Sequence, residues 1–198
     1  MVKRITLLRQ RPDMSREAFG QHWAGPHADI AIHFPALAAY NQNRVDRSLW
    51  KFGPSGLQVD GIVELWFESE QGMRDAGQSD VTRQLIEDEP RFLSGITGLM
   101  ATEREKRQGM AGARKVFLLG HADDPLSALS SLFNGTSFSL AGDTLAPSFT
   151  REALWNEPTP PNVAIAMWID NEADSIRKLA QSVFTSAELY EVDTLTIV

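Results

Sequence analysis

Leu65-Trp66-Phe67-Glu68 and Met167-Trp168-Ile169-Asp170 are two similar segments, one in each half of a chain of 198 residues. Each is an apolar run, and each is followed by an acidic residue, Glu70 in the first half and Glu172 in the second. This pattern is typical of a strand that runs into a helix, because a negative side chain is favourable at a helix N-terminus. The sequence therefore predicts the same strand and helix twice.

The repetition extends to both ends of the two halves. Arg4-Ile-Thr-Leu-Leu8 is matched by Lys115-Val-Phe-Leu-Leu119, and a strand predicted around Ile96 to Thr102 is matched by the alternating segment Tyr190 to Val198. Each half then reads β-α-β-β-α-β, which is the order of a ferredoxin-like unit with two helices on one face of an antiparallel sheet. The predicted fold class is α+β, with two tandem units.

The strands of both halves carry apolar residues on both faces, so the sheet face without helices also needs burial. We expect the two sheets to pack into an α/β barrel within one chain, a monomeric pseudo-dimer, with pairing between chains in a homodimer as the alternative. The segment 107–113 has two glycines and no apolar period, as in a linker. The expected domains are therefore 1–106, which would carry the pocket, and 114–198, a degenerate structural copy.

Composition excludes several classes of function. The chain contains no cysteine, so disulfides and thiolate sites are excluded, and its net charge of −7 disfavours nucleic-acid binding. No apolar run reaches the roughly 18 residues of a membrane span, and the N-terminus does not resemble a signal peptide. The expected location is the cytoplasm. The sequence contains neither a phosphate loop nor a dinucleotide fingerprint, so no cofactor is expected.

His27 is the strongest candidate for a functional residue. It lies in a helical stripe of apolar residues with Phe19, Trp23 and Phe34, which would turn the imidazole away from water. An unsatisfied buried imidazole costs on the order of 1–3 kcal/mol, so His27 needs either a partner or a cavity. A ligand pocket would provide the cavity, and a plain core histidine with a hydrogen-bond partner is the alternative.

Further candidates are named from their positions around His27. Glu64, on a strand between Ile62 and Trp66, would form a catalytic carboxylate–imidazole pair with His27 if its face meets the helices, and would be a surface charge otherwise. Tyr40 and Asn43 fall on opposite faces of a regular strand, so at most one of them would reach the pocket. A flat apolar wall for a cyclic ligand is predicted from three aromatic residues, Trp23, Trp66 and Phe92.

No metal site is expected. His22 and His27 are five residues apart, which is about 140° around an α-helix, so the two imidazoles would not share a face. The Gly25-Pro26 step between them is expected to kink the helix.

Four segments together resemble the EthD-like family of dimeric α/β-barrel proteins: Phe19-x-x-x-Trp23-x-x-x-His27, Tyr40-Asn-Gln-Asn43, Asp60-Gly-Ile-Val-Glu-Leu-Trp-Phe67 and Glu89-Pro-Arg-Phe92. The resemblance covers roughly residues 3 to 105, and the second half looks like a diverged copy. It implies a pocket between helices and sheet and, by analogy, catabolism of small organic compounds, polyketide-type ring chemistry or isomerisation.

Three functions remain open from the sequence. The first is a cofactor-independent enzyme of isomerase, cyclase, decarboxylase or dehydratase type, in which His27 transfers a proton on a hydrophobic cyclic substrate. The second is a noncatalytic binding or accessory protein for a hydrophobic metabolite. The third, prompted by other dimeric α/β-barrel families, is haem binding with a histidine as the axial ligand.

Overall fold

A computed structural model describes residues 1–54, 56–107, 112 and 114–198. Two sets of elements follow each other in the same order. The first contains the strands β1 (Val2–Gln10), β2 (Leu37–Phe52), β3 (Gly61–Phe67) and β4 (Leu93–Arg107). The second contains β5 (Arg114–His121), β6 (Ser139–Phe149), β7 (Val163–Ile169) and β8 (Ser186–Thr196). The repeat predicted from the sequence is confirmed.

The helices follow the first and third strands of each set. The first half has α1 (Arg16–His22), a π-helical segment (Trp23–His27), α2 (Ala28–Ala31), α3 (Glu70–Gly77), α4 (Asp80–Asp88) and a short 3₁₀ turn (Glu89–Arg91). The second half has α5 (Pro125–Asn134) and α6 (Ala173–Ala180). No helix in the described ranges is long and apolar enough to cross a membrane.

All eight strands form one closed antiparallel barrel in the order β1-β3-β2-β8-β5-β7-β6-β4, and β4 returns to β1. The two halves join through β2 with β8 and through β4 with β6. The sheets are therefore closed within a single chain, as expected. Of the predicted linker, 107–113, Arg107 is the last residue of β4, and residues 108–111 and 113 lie outside the described part of the chain.

Side chains alternate between the barrel interior and the helices because successive strand residues point to opposite faces. The interior holds apolar residues of both halves, among them Ile5, Ile62, Leu99, Phe117 and Ala166. The opposite faces bury two further clusters beneath the helices, one in each half. In each half, the helices bury one face of the sheet, and the sheet of the other half buries the opposite face.

Pro26 explains the π-helical segment. It has no amide hydrogen, so the carbonyl four residues earlier, that of His22, loses its usual helical partner. A turn widened by one residue, with bonds between residues five apart, restores a partner and continues the helix without a break. The kink expected at Gly25-Pro26 is realised as this widened turn.

Candidate active site

His27 lies beneath the N-terminal helices with only 11% of its side chain exposed. Its Nδ1 is 3.0 Å from Oδ2 of Asp88, the last residue of α4, and its ring centroid is 4.9 Å from that of Phe92. No hydrogen bond joins Nε2 of His27 to any described residue. The imidazole is therefore buried, held by a carboxylate through one nitrogen, and left with the other nitrogen for exchange of a proton.

His22 shares the same carboxylate. Its Nε2 lies 3.0 and 3.1 Å from the two oxygens of Asp88, and its ring stacks on Phe92 at 4.8 Å. The expectation that His22 and His27 face different directions is wrong, because the π-helical turn brings residues five apart to one side. No group of three or more His, Asp or Glu side chains in the described ranges is arranged to hold a metal ion.

The electrostatics of Asp88 follow from these two contacts. Burial raises the pKa of the carboxyl, but the hydrogen bonds with His27 and His22 lower it by more, so the pKa of Asp88 is below its ordinary value. Asp88 is also the final residue of α4. Asp88 thus contacts and orients both imidazoles.

Glu64 does not pair with His27. On β3, Ile62, Glu64 and Trp66 face the barrel interior, whereas His27 lies on the helix side of the same sheet. The carboxylate of Glu64 contacts Nζ of Lys3 at 3.0 Å and Nζ of Lys115 at 2.9 Å. Burial raises the pKa of Glu64, but the two ammonium groups lower it by more. Neither proposed alternative, a histidine partner or a surface charge, describes this residue.

Asn43 belongs to the same interior group. Its Nδ2 donates to Glu64 at 3.1 Å, and its Oδ1 accepts from Lys115 at 2.8 Å. Lys3 also binds Asp143 of the second half at 2.7 Å. We refer to Lys3, Glu64, Asn43, Lys115 and Asp143 as the lumen cluster. It contains two positive and two negative charges and connects the two halves of the barrel.

The lumen cluster is only partly symmetric. Lys3 pairs across the sheet with Trp66, and Lys115 pairs in the same way with Trp168. Each ammonium also lies over its tryptophan, at 5.1 Å in the first half and 5.5 Å in the second. The same register, however, matches Glu64 with Ala166 and Asn43 with Asp143. Glu64 therefore pairs with both lysines, and the matching position of the second half has no carboxylate.

Tyr40 and Trp23 lie on the helix side, as the alternation relative to Asn43 predicted. The Tyr40 hydroxyl accepts from Gln42 at 2.7 Å, and the same amide donates to the carbonyl of Trp23 at 2.8 Å. Burial raises the pKa of Tyr40 to about 12, although hydrogen bonds with Gln42 and Trp23 oppose the shift. The Trp23 ring covers Gly61, where an added Cβ would lie 2.6 Å away.

The expected hollow beside His27 is filled by these aromatic residues. Phe19 packs on Trp23 at 5.5 Å and on Phe92 at 5.8 Å. Of five cavities formed by described residues, none is lined by any of the seven residues predicted for the site. One of the five, a groove of about 390 Å³, is lined by Glu89, the residue after Asp88.

Sequence reasoning missed Asp88, His22 and both lysines of the lumen cluster. The signal for Asp88 was its position directly before Glu89-Pro-Arg-Phe92, the fourth segment of the family resemblance. The signal for His22 was Pro26, which forces a change of helical period between the two histidines.

A closed barrel built from two β-α-β-β-α-β repeats, with helices on the outside and a buried histidine–carboxylate pair, defines a tandem α/β-barrel protein. Residues 11–96 match the EthD domain family, which confirms the resemblance stated above for that part of the chain. A search of curated proteins gives no significant match.

Solved structures share the fold over almost the whole chain. An anthrone oxidase-like protein matches with a TM-score of 0.61 and 10% identity, over 99% of this chain and 93% of its own. A candidate monooxygenase from Lactobacillus acidophilus gives 0.53 and 8%, over 100% and 94%. A candidate chlorite dismutase gives 0.51 and 11%, over 98% and 95%. Because the sequence identities are this low, the structural matches show a common fold and nothing about function.

Proposed function

We propose that the chain is a cofactor-independent enzyme of small-molecule metabolism in which His27 transfers a proton on a hydrophobic cyclic substrate. The observation that carries the proposal is the contact of 3.0 Å between Nδ1 of His27 and Asp88, with no hydrogen bond from Nε2 to any residue that the structure describes. A general base needs an imidazole whose other nitrogen is fixed by an acceptor, and this arrangement supplies one.

The chemistry follows from the pair. Neutral His27 accepts a proton at Nε2 from an acidic carbon next to a carbonyl, and the electron pair of the broken C–H bond moves onto the carbonyl oxygen. Asp88 stabilises the imidazolium, which returns the proton to the same or another atom of the substrate. Isomerisation, cyclisation and dehydration all use this step, and a positioned base contributes about 10²–10⁴-fold in rate.

Two further observations support an enzyme. Residues 11–96 match the EthD domain family, and solved structures of the same fold include an anthrone oxidase-like protein and a candidate monooxygenase. The ring of Phe92 lies within 5 Å of both imidazole rings and is fully buried in the apolar cluster beneath the helices. We propose Phe92 as the principal wall, with Trp23 and Tyr40 behind it.

A noncatalytic binding or accessory protein is the second candidate, and the close packing around Trp23 and Tyr40 counts against a reaction beside His27. With both residues almost fully buried and Gly61 in contact with the indole, little open space remains next to His27. In this case Asp88 and the histidines would be a structural network that holds α1, the π-helical segment and α4 together. Proton exchange on a test substrate separates the two candidates.

Haem binding does not fit the residues around His27. An axial imidazole needs a flat space large enough for a porphyrin on the side of its free nitrogen. Phe92 lies 4.9 Å from the His27 ring, and the groove of about 390 Å³ that lies nearest in sequence to Asp88 is not lined by His27. We therefore derive no step through haem.

The test uses 2-tetralone, a cyclic ketone with acidic carbon-bound protons, incubated with the protein in D₂O. We expect the wild type to accelerate deuterium incorporation, measured by proton NMR, and His27→Gln to lower the rate to that of buffer. Asp88→Asn should lower it by a factor of about 10 or more. His33→Gln is the matched control, because His33 is exposed and lies outside the pair.

Exchange that is equally fast in wild type and His27→Gln contradicts the catalytic role. Binding of 2-tetralone without accelerated exchange favours the noncatalytic alternative. Thermal unfolding of each variant, followed by circular dichroism, ensures that a lost rate is not a lost fold.

A further inference from the structure

A cavity opens at one end of the barrel, where β5 ends at His121 and β7 begins at Val163. This is the opposite end from the lumen cluster, because Lys3 and Lys115 lie near the starts of their strands. The volume of the cavity is about 340 Å³, which falls within the range of small-molecule sites. We refer to it as the mouth pocket, and its lining includes Leu57, His121, Asp123, Glu157, Thr159 and Ser186.

The mouth pocket is acidic. Asp123 and Glu157 both contribute carboxylates, and its described lining contains no lysine or arginine. No ion pair joins either carboxylate to a described residue. Arg9 lines a smaller crevice together with Glu157, but its guanidinium lies over the ring of Trp155 at 5.5 Å. Two negative charges therefore line the pocket without a counter-charge from the part of the chain that the structure describes.

Thr159 fixes two acceptors of the mouth pocket. Its amide and its hydroxyl donate to Oε1 of Glu157, both at 3.2 Å, and its carbonyl accepts from Nε2 of His121 at 3.0 Å. Because Nε2 carries the donated proton, Nδ1 of the neutral imidazole is an acceptor. Neither Oε2 of Glu157 nor Nδ1 of His121 has a hydrogen bond to any described residue. Both atoms are therefore held in place with acceptor capacity to spare.

Ser186 adds a buried hydroxyl to the same lining. It pairs directly with His121 across β5 and β8, and only 4% of the residue is exposed. Within the described ranges, its hydroxyl has no hydrogen-bond partner. A buried hydroxyl that is left unsatisfied costs free energy, so a ligand that donates a hydrogen bond to Ser186 would be favoured. This observation is independent of the acidic charge and indicates the same kind of ligand.

The negative charge continues into the barrel behind the mouth pocket. Ser186, Glu188 and Tyr190 alternate along β8 with residues of the helix side, and Tyr190 belongs to the interior cluster. Burial raises the pKa of the Tyr190 hydroxyl, and the charge of Glu188 raises it further. The carboxylates of Asp60 and Glu157 act in the same direction. The pocket therefore opens onto a region of negative potential, which attracts a cation and repels an anion.

We propose that the mouth pocket binds the ammonium group of a small primary amine, whose apolar part lies against Leu57. An ammonium has three donors and one positive charge, and the pocket offers acceptors on two carboxylates, one imidazole and one hydroxyl. A metal ion fits less well, because the described residues include no group of three or more His, Asp or Glu side chains arranged to hold one. The inference does not rest on the proposed function, since His27 lies beneath the N-terminal helices and does not line this pocket.

The experiment compares cyclohexylmethylamine with cyclohexylmethanol, which has the same carbon skeleton and no charge, by isothermal titration calorimetry and by ligand-induced thermal stabilisation. We expect the wild type to bind the amine at least about tenfold more tightly than the alcohol. Combining Asp123→Asn with Glu157→Gln should reduce this preference to less than about twofold. The matched control combines Glu68→Gln with Glu152→Gln, which changes the net charge equally at two exposed positions outside the pocket.

Equal binding of amine and alcohol by the wild type, no binding of either, or the same loss of preference in the control overturns the proposal. Should the double variant not fold, Asp123→Asn alone changes an exposed side chain, and a preference reduced by about threefold or more is expected there. The two proposals can fail separately, because deuterium exchange reports on His27 and the preference for the amine reports on Asp123 and Glu157.

Discussion

Replacing Glu64 by Gln tests whether the lumen cluster holds the two halves of the barrel together. The substitution keeps the shape of the side chain and removes its charge, so Lys115 retains only the amide oxygen of Asn43 and Lys3 retains Asp143. Both lysines are deeply buried, with 6% and 11% of their side chains exposed. Water therefore cannot replace the lost carboxylate without opening the barrel.

The size of the effect follows from the two contacts at 3.0 and 2.9 Å. At an effective dielectric constant of about 20, each is worth roughly 5–6 kcal/mol before desolvation. Removing one member of a buried ion pair leaves an uncompensated charge and costs about 3–5 kcal/mol in practice. For a chain of this length, that corresponds to a fall in Tm of roughly 6–20 °C.

The assay is urea unfolding followed by circular dichroism, with the thermal midpoint as a second measurement. Glu70→Gln is the control, because Glu70 forms an exposed pair with Arg74 at 3.6 Å, and such pairs contribute less than about 1 kcal/mol. A loss for Glu64→Gln no larger than that of the control would refute the reasoning, since it would mean that the lysines find other partners or water.

Three further predictions concern the helix side of the N-terminal half. Asp88→Asn should be less stable than wild type at neutral pH; because the folded pKa of Asp88 is below 3.8, the difference should vanish as the pH falls through that lower value, as measured by acid unfolding. Tyr40, with a pKa raised from 10.0 to about 12, should stabilise the fold fully below pH 10 and lose this contribution as the pH rises through 12, which an ultraviolet titration of tyrosinate against unfolding would show. Gly61→Ala should lower the free energy of unfolding by about 1–3 kcal/mol through its clash with Trp23, whereas Gly77→Ala, with open space around it, should not.

The fold was predictable because its determinants repeat. Two apolar strands followed by acidic helix starts, at matching places in each half, indicate the unit, and apolar residues on both strand faces indicate that the sheets must meet. Because both strand faces are apolar, this pattern does not indicate which face meets the helices. For this reason the sequence left Glu64 as either a partner of His27 beneath the helices or a surface charge, whereas the structure places it in the barrel interior.

The site was predictable only in part. Helical periodicity placed His27 inward, but it assumes a constant angle per residue, and the π-helical turn at Pro26 breaks that assumption. His22 was therefore not recognised as a neighbour of His27, and Asp88, which lies on α4, was not proposed as their partner. Lys3 and Lys115 begin their strands and look like surface charges; their burial arises only when the two halves close and bring opposite charges from distant parts of the chain together.

The unequal residues at matched positions of the lumen have a consequence for how such a barrel can evolve. A barrel assembled from identical subunits must accept every substitution twice, so a glutamate near its axis would face its own copy across a few ångströms. Fusion of both sheets into one polypeptide removes this constraint, and here Glu64 stands opposite Ala166. The two copies can then carry different residues at matched positions while each still supplies one lysine and one carboxylate to the lumen.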